Sequence, residues 1–457
     1  MIFTHLKKAS RPTSGIAMAM ILATAGTLTA TAIETPASAQ RLKKREEERK
    51  EREREKESQS QQTQYSKEFM AAYKPIDEIQ KAEGGNLEDA RPLVPALVAT
   101  IKSPDEKRAG GGVLFNLGND LGDDDLRMQG INLMLDSGLL DEATAGQLNF
   151  ASYQTYAERG DIAAARAALE KAIALNYNFT ATMTDGSQRT IGATELQRMI
   201  ADLYFDADQN EEGLAYLSGV IDGLKGAGQP VPEGLIRAGL ARAYENDMGA
   251  ASSRFVALLA ENYPDSTVWG DAIIITLNSN TFPNPETLDL LRLSRRINVY
   301  NDTRVLSEYV EMLDSRRYPG EVVTAIDEGF ALGNIDKTDP YLIEARRDAG
   351  SRVDADRREL PNLAKEARAA GASAKTLVVA GDTFLSYDQP AEAEEFYNRA
   401  LGMPGVETPL VLTRLGIAQF DQGKYAEAIE TFGKVQGQRA AIANLWAIYA
   451  AQKQAAM

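Results

Sequence analysis

Beyond Tyr65 the chain places apolar residues three and four apart in short runs, broken by Gly, Pro, Asn or Asp, as at Gly84-Gly85-Asn86, Ser103-Pro104 and Gly110 to Gly112. That period puts apolar side chains on one face of an α-helix, and each break ends one helix and frees the next to turn back. No strand pattern alternates with the helical runs, so the expected class is all-α.

One stretch, Ala374 to Val435, carries the same helix-turn-helix pattern twice. Counting Pro409 as position 1, Leu412, Leu415, Gly416, Ala428 and Phe432 stand at positions 4, 7, 8, 20 and 24, with Gly423 in the turn. Counting from Ala374, Leu377, Gly381, Phe384, Ala393, Tyr397 and Ala400 stand at 4, 8, 11, 20, 24 and 27. Small residues at 8 and 20 let two antiparallel helices approach closely while large apolar ones fill the space around them.

This spacing resembles the tetratricopeptide repeat (TPR). The resemblance implies a right-handed α-solenoid of antiparallel helix pairs that binds another protein or an extended peptide on its concave face. In that family positions 2, 5, 9, 12 and 13 of the first helix face the partner. Here those are Lys375, Val378, Asp382, Leu385 and Ser386, then Leu410, Thr413, Ile417, Phe420 and Asp421, and the apolar Leu385, Ile417 and Phe420 are expected to be partly exposed. The Lys, Arg and Asn clamp of the chaperone-binding members is absent. Gln419 stands where a large apolar residue is usual, and Gly213 where alanine is.

Weaker units precede this pair. Gly146 to Leu175 has Tyr156, Gly160, Ala165, Leu169 and Ala172 at 11, 15, 20, 24 and 27, and Thr194 to Ile221 has Ile200, Ala201, Tyr204, Gly213, Leu217 and Val220 at 7, 8, 11, 20, 24 and 27. Their position-20 residues are 48 apart, too many for adjacent repeats. Phe179, Ala181 and Met183 alternate with polar residues up to Asp185-Gly186, which predicts an inserted hairpin returning through Thr190 and Ile191. Asn116-Leu117-Gly118 and Leu121 suggest a degenerate unit, followed by Asp123 to Asp125. Those acids lack the alternate spacing of a calcium loop and suit a helix start. Leu235 to Ala260 is another pair closed by Tyr263-Pro264-Asp265, and Trp269 opens the next helix. Asn284-Pro285-Glu286 offers a cap, an N1 proline and an acid. Asn301 to Gly333 is a divergent repeat, and Pro340 to Ala370 a longer connector with a bend expected at Pro361. Ile442, Leu445, Trp446 and Tyr449 lie at helical spacing, as a terminal cap requires. Both tryptophans, Trp269 and Trp446, are expected in the core.

The N-terminus differs in kind. Lys7, Lys8 and Arg11 precede the apolar Ile16 to Ala25, and Ala37-Ser38-Ala39 offers small residues for cleavage, so residues 1–39 are expected to be a signal peptide. Residues 40–64 are a charged or single-helix linker: Arg41 to Glu57 holds nine Lys or Arg against seven Glu and has almost nothing to bury. Residues 65–370 are then degenerate repeats, and 371–457 two clear units plus the capping helix.

Composition narrows the function. With no cysteine, and with His5 as its one histidine, the chain offers no thiolate, no disulfide and no imidazole beyond the leader. No catalytic residue, metal or cofactor is expected. The formal charge of −16 disfavours nucleic acid, whose binding rests on Lys and Arg. Stable membrane insertion is not expected once the leader is cleaved, and self-association stays open. The leading expectation is therefore a periplasmic or secreted binding scaffold. The alternative is a carboxylate-dependent glycan hydrolase, since that chemistry needs only Asp and Glu.

The leader yields a direct test. The mature chain should begin at or beside Gln40, and an intact-mass measurement of the native protein that includes residues 1–39 would replace the signal peptide with an anchor.

Overall fold

Aspartates begin many of the helices of this chain. Asp123, Asp141, Asp161 and Asp265 each accept the N–H of the residue three further on, at 2.7–3.0 Å, so part of the chain's acidity is spent on otherwise unpaired amides. The Asp123 to Asp125 run is thus the helix start its spacing indicates. The computed structural model describes residues 65–82, 86–183, 185–299, 303–333 and 335–457. The expected signal peptide, residues 1–39, and the Arg41 to Glu57 segment lie outside the described residues. The chain divides after Ser66, and all described helices and strands fall in the second unit, Lys67–Met457.

That unit is all-α apart from one hairpin. Its helices are α1 Lys67–Lys81, α2 Val94–Thr100, α3 Pro104–Leu121, α4 Asp124–Asp136, α5 Glu142–Glu158 and α6 Ile162–Ala174. After strands β1 Phe179–Thr182 and β2 Gln188–Ile191 come α7 Ala193–Asp206, α8 Asn210–Gly226, α9 Glu233–Glu245, α10 Gly249–Asn262, α11 Ser266–Asn278 and α12 Asn284–Arg296. The chain continues through α13 Thr303–Leu313, α14 Pro319–Leu332, α15 Pro340–Arg368, α16 Ala374–Ser386, α17 Pro390–Leu401, α18 Thr408–Asp421, α19 Tyr425–Phe432 and α20 Ala440–Ala455. Successive helices pack as antiparallel pairs, and the pairs stack on one another, which is the TPR-like solenoid expected from the spacing.

Small residues set the distance within each pair. Gly381 lies against the Tyr397 ring and Gly416 against the Phe432 ring, each so close that a Cβ would enter the ring. Both contacts join positions 8 and 24. Gly239 meets Phe255 at the same 16-residue separation, so α9 and α10 are a full repeat whose register the apolar period alone does not give. In α7 and α8 the roles are reversed. Phe205 of the first helix lies over Gly213 of the second, which explains glycine where alanine is usual. Gln419 is likewise accounted for: it is buried, accepts the Thr431 hydroxyl at 2.7 Å and reaches Glu394 at 3.4 Å.

The turns inside the pairs share one device. Gly160, Asp208, Asp247, Asp388 and Gly423 each stand two residues past the first helix with φ between 53° and 75°. Only a left-handed residue reverses the chain that tightly, and aspartate tolerates it better than most side chains.

The inserted hairpin is present. Phe179 pairs with Ile191 and Thr182 with Gln188, Gly186 turns at φ 82°, and Asp185 accepts both the N–H and the hydroxyl of Ser187. Phe179 and Ile191 join the cluster of Phe150, Leu169, Leu196 and Ile200, so the hairpin covers the joint between two ordinary repeats. One local expectation is corrected. Asn284 does not cap α12; it is already helical, Pro283 holds the cap position, and no side chain caps that end.

Two glycines give opposite predictions. Gly239→Val should overpack the Phe255 contact and cost about 1–3 kcal/mol. Gly219→Ala, in mid-α8 with open space where its Cβ would go, should gain about 0.5–1 kcal/mol. Chemical denaturation of the two variants checks both signs.

Candidate protein-binding face

The positions expected to face a partner in the two C-terminal repeats are mostly inside the protein. Thr413 and Ile417 are 0% exposed, Asp382 and Leu385 3%, Phe420 7% and Leu410 8%. The expected partial exposure of Leu385, Ile417 and Phe420 is therefore corrected. Ser386 is buried too, Val378 is half-buried, and Lys375 and Asp421 are exposed. The reason is that the chain covers this face itself. Phe420 stacks on Tyr449 and meets the edge of Trp446, both from α20, with centroids 5.4 and 5.3 Å apart. Asp421 takes a two-pronged bond from Arg296 at the end of α12, at 3.1 and 2.6 Å.

Helix α12 is the unusual element. Every residue from Glu286 to Ser294 is buried, although the segment contains Glu286, Asp289 and Arg292. A helix enclosed on all sides is normally apolar. Here each charge is matched. The Asp289 carboxylate accepts from Arg292 Nη1 at 3.0 Å, Arg414 Nε at 3.2 Å and Arg439 Nη1 at 2.6 Å. Arg292 grips Glu321 of α14 with two bonds, at 2.9 and 2.7 Å, and the Tyr309 hydroxyl donates to the same carboxylate at 2.6 Å. Arg414 also reaches Asp382 at 2.6 Å, whose carboxylate accepts the hydroxyls of Tyr397 and Tyr318 at 2.8 and 3.2 Å. Glu286 faces Arg439 Nε at 3.2 Å. Asp382, a residue of the expected binding face, is thus a structural member of this network.

The ionisation of the cluster follows from these partners. Burial opposes the charge on Glu321, but the charge and hydrogen bonds of Arg292, with Arg296 and Arg295 behind, outweigh it and pull the carboxyl from 4.5 down to about 2. Asp289 is held below the ordinary carboxylate range in the same way: burial raises it, and Arg414, Arg439 and Arg292 reverse that. Burial, reinforced by the Asp382 charge, pushes the Tyr318 phenol up to about 12, so it stays a donor.

Helix α20 then ties the two ends of this region together. Trp446 Nε1 donates to the Asp289 carbonyl at 2.9 Å, Tyr449 to the Arg296 carbonyl at 2.9 Å, and Gln452 to the Ala260 carbonyl at 2.8 Å. Trp269 of α11 meets the Tyr449 ring edge-on at 5.5 Å. Both tryptophans are core, as expected, and α20 does more than cap the last repeat.

An equivalent face on the earlier repeats is less covered. At positions 9 and 13 it carries Asp202 and Asp206 of α7, then Leu240 and Tyr244 of α9, and at position 9 of α11 it carries Ile274. Tyr244 is 38% and Ile274 41% exposed, two of the large apolar residues that stay exposed among the described residues. Asp202 is half-buried, reaches Arg198 at 3.7 Å, and has its carboxyl raised by burial, with Arg198 and Arg242 opposing the rise and Asp206 adding to it. The repeat spacing of Thr194 to Ile221 is enough to locate Asp202 and Asp206. Tyr244 needs the Gly239–Phe255 register, which only the contact reveals. Among the described residues no group of acidic or imidazole side chains could hold a metal ion, and no helix is long and apolar enough to cross a membrane.

The buried cluster gives a stability prediction. Asp289→Asn removes the carboxylate shared by three guanidiniums and should cost about 3–5 kcal/mol, as breaking a buried pair does. Because Glu321 has a lowered folded pKa, its contribution is complete above about pH 4.5 and is lost as pH falls towards 2. Thermal melts of the parent between pH 6 and 2.5 should fall through that window, and those of Glu321→Gln should fall less steeply.

No protein-family model matches the chain, and no curated protein sequence does. Similar solved structures include the TPR domain of P58(IPK), 10% identical over 85% of this chain and 98% of that one, with a TM-score of 0.22. A tetratricopeptide repeat protein from Parabacteroides merdae ATCC 43184 is 12% identical over 61% of this chain and all of that one, at TM-score 0.21. The pentatricopeptide repeat protein PPR10 from maize is 14% identical over 76% of this chain and 46% of that one, at TM-score 0.27. On its own paired helices and glycine-to-ring contacts the chain has a TPR-like helical repeat fold.

Proposed function

We propose that the protein is an exported scaffold, periplasmic or secreted, that binds a partner protein or extended peptide on the inner face of repeats α5 to α11. The observation that carries the reading is the contrast between two equivalent faces. In the C-terminal repeats the partner-facing positions are largely buried, whereas in the earlier repeats Tyr244 and Ile274 keep 38% and 41% exposure. Large apolar side chains kept exposed on the same face of adjacent repeats, at position 13 of one and position 9 of the next, are more economically explained by a partner than by folding. The basic, apolar and Ala-Ser-Ala segments of the leader support export.

The partner-binding role expected for Asp382, Leu385, Leu410, Thr413, Ile417 and Phe420 requires these buried side chains to be uncovered, whereas Lys375, Val378 and Asp421 are at least partly accessible as they stand. Phe420→Ala should accordingly act on folding, costing about 3–5 kcal/mol.

A photo-crosslinking amino acid at Tyr244, in protein expressed in its native envelope, should yield a discrete cross-linked species, and one at the exposed Glu212 of α8 should not. Equal labelling from both sites, or none from either, contradicts the reading. Release of sugar from cell-wall glycan by the parent but not by Asp202→Asn would favour the hydrolase alternative instead.

A further inference from the structure

We propose that the outer edge of strand β1 takes an extended segment of another protein as a third strand of the hairpin sheet, held by main-chain pairing. The proposal rests on the hairpin alone and does not depend on the inner-face reading above.

The two edges of the hairpin differ. The Met183 N–H donates to the Ser187 carbonyl at 2.7 Å, so the backbone of Met183 faces β2. Backbone groups alternate sides along a strand, and the register from Phe179–Ile191 to Thr182–Gln188 runs without a bulge, so Ala181 and Phe179 face β2 as well. Thr180 and Thr182 therefore turn their N–H and C=O groups outward. Both residues are exposed, and among the described residues no further strand joins the sheet on that side. Strand β2, by contrast, carries Arg189, tied to Glu195 of α7 at 2.7 Å, and leads straight into α7, which packs against it.

An exposed edge is ordinarily guarded by a charge, a proline or a bulge, because unpaired backbone groups invite another strand. From Ala172 to Thr184 there is no charged residue and no proline, on a chain in which 25% of residues are charged. The chemistry of the occupant follows from the two faces of β1. Thr180 and Thr182 stand in water, while Phe179 and Ala181 pack on the cluster of Phe150, Leu169 and Ile200. The Phe150 ring lies 4.9 Å from Phe179, 5.5 Å from Tyr153 and 5.6 Å from Tyr177, and those three outer rings are only half-buried. A strand added to β1 continues the pleat, so its residues alternate, apolar on the side of the rings and polar on the side of water. With no charge on β1 to answer one, the pairing residues are uncharged. Two copies of the protein joined through four-residue edges would bury well under the roughly 1,000 Å² that a stable interface needs, so the occupant is an extended segment and not a second copy.

The test uses the full-length protein and two fluorescein-labelled synthetic peptides that alternate Val and Thr, one ordinary and one with its central amides N-methylated so that neither edge can pair. Fluorescence anisotropy should show the ordinary peptide binding and the methylated one at least about tenfold weaker. Thr180→Pro removes an outward donor, leaves the ladder to β2 whole and should weaken the ordinary peptide about tenfold. Thr182→Lys keeps every backbone group, adds an edge charge and should weaken binding in the same direction. Thr190→Pro makes the same change on the other edge and should alter binding by less than about twofold. The melting temperatures of all three variants should match that of the parent, because the three positions are exposed. Equal binding of the methylated peptide, an equal loss in Thr190→Pro, or no binding of the ordinary peptide overturns the proposal. So does a parent that sediments as a dimer and is dissociated by Thr180→Pro, since that gives the edge to a second copy.

Discussion

The C-terminal half of the protein depends on one carboxylate, that of Asp289, and on the three arginines that converge on it from α12, α18 and the turn before α20. Removing a charge from water costs several kcal/mol, and a helix that buries Glu286, Asp289 and Arg292 together incurs that cost three times. It is offset because the partners, from α13, α14, α16, α17, α18 and the turn before α20, arrive within hydrogen-bonding distance. Glu321 neutralises Arg292 from α14, Asp382 holds the far side of Arg414 from α16, and the phenols of Tyr309, Tyr318 and Tyr397 take up remaining acceptors. A leucine at each position would pack, but it would not dictate register. The ion network fits α12 in one position, because a shift of one residue leaves several charges buried and unpaired.

From that constraint follows a division of the solenoid. Once α12 lies against α18, and α20 returns to α10, α11 and α12, the inner positions of the last repeats become core, and their apolar residues serve folding. At equivalent positions of the earlier repeats Asp202 is half-buried, and Tyr244 and Ile274 are 38% and 41% exposed. Equivalent positions of one repeat unit are therefore core in one part of the chain and partly exposed in another. Whether such a position is core depends on a helix far away in sequence, 125 residues before its main contact at Arg414.

Much of the fold was legible in the sequence because it is local. Helix boundaries follow from caps and breakers, the pairs from Gly381, Ala393, Gly416 and Ala428, and the hairpin from a spacing of 48 together with Asp185-Gly186. The site was much less legible. Position within a repeat predicts which way Ile417 and Phe420 point, and it does so correctly, but it cannot say what stands in front of them. That depends on pairings such as Asp289 with Arg439, 150 residues apart, which leave no periodic trace. The available hint was in α12, where Glu286, Asp289 and Arg292 recur every third residue among leucines, an odd pattern for either a solvated face or a core. The Tyr244 position was missed for a smaller reason: the register of α9 rests on Gly239 alone.

Hydrogen–deuterium exchange of the free, full-length protein tests the central claim most directly. If α12 is an integral part of the C-terminal core, the amides from Leu288 to Ser294 exchange as slowly as those of Leu415 to Phe420, only through global unfolding. Exchange of the α12 amides orders of magnitude faster than that of α18 would contradict the account, because it would mean that the helix leaves the face it fills and that Ile417 and Phe420 are open to a partner after all.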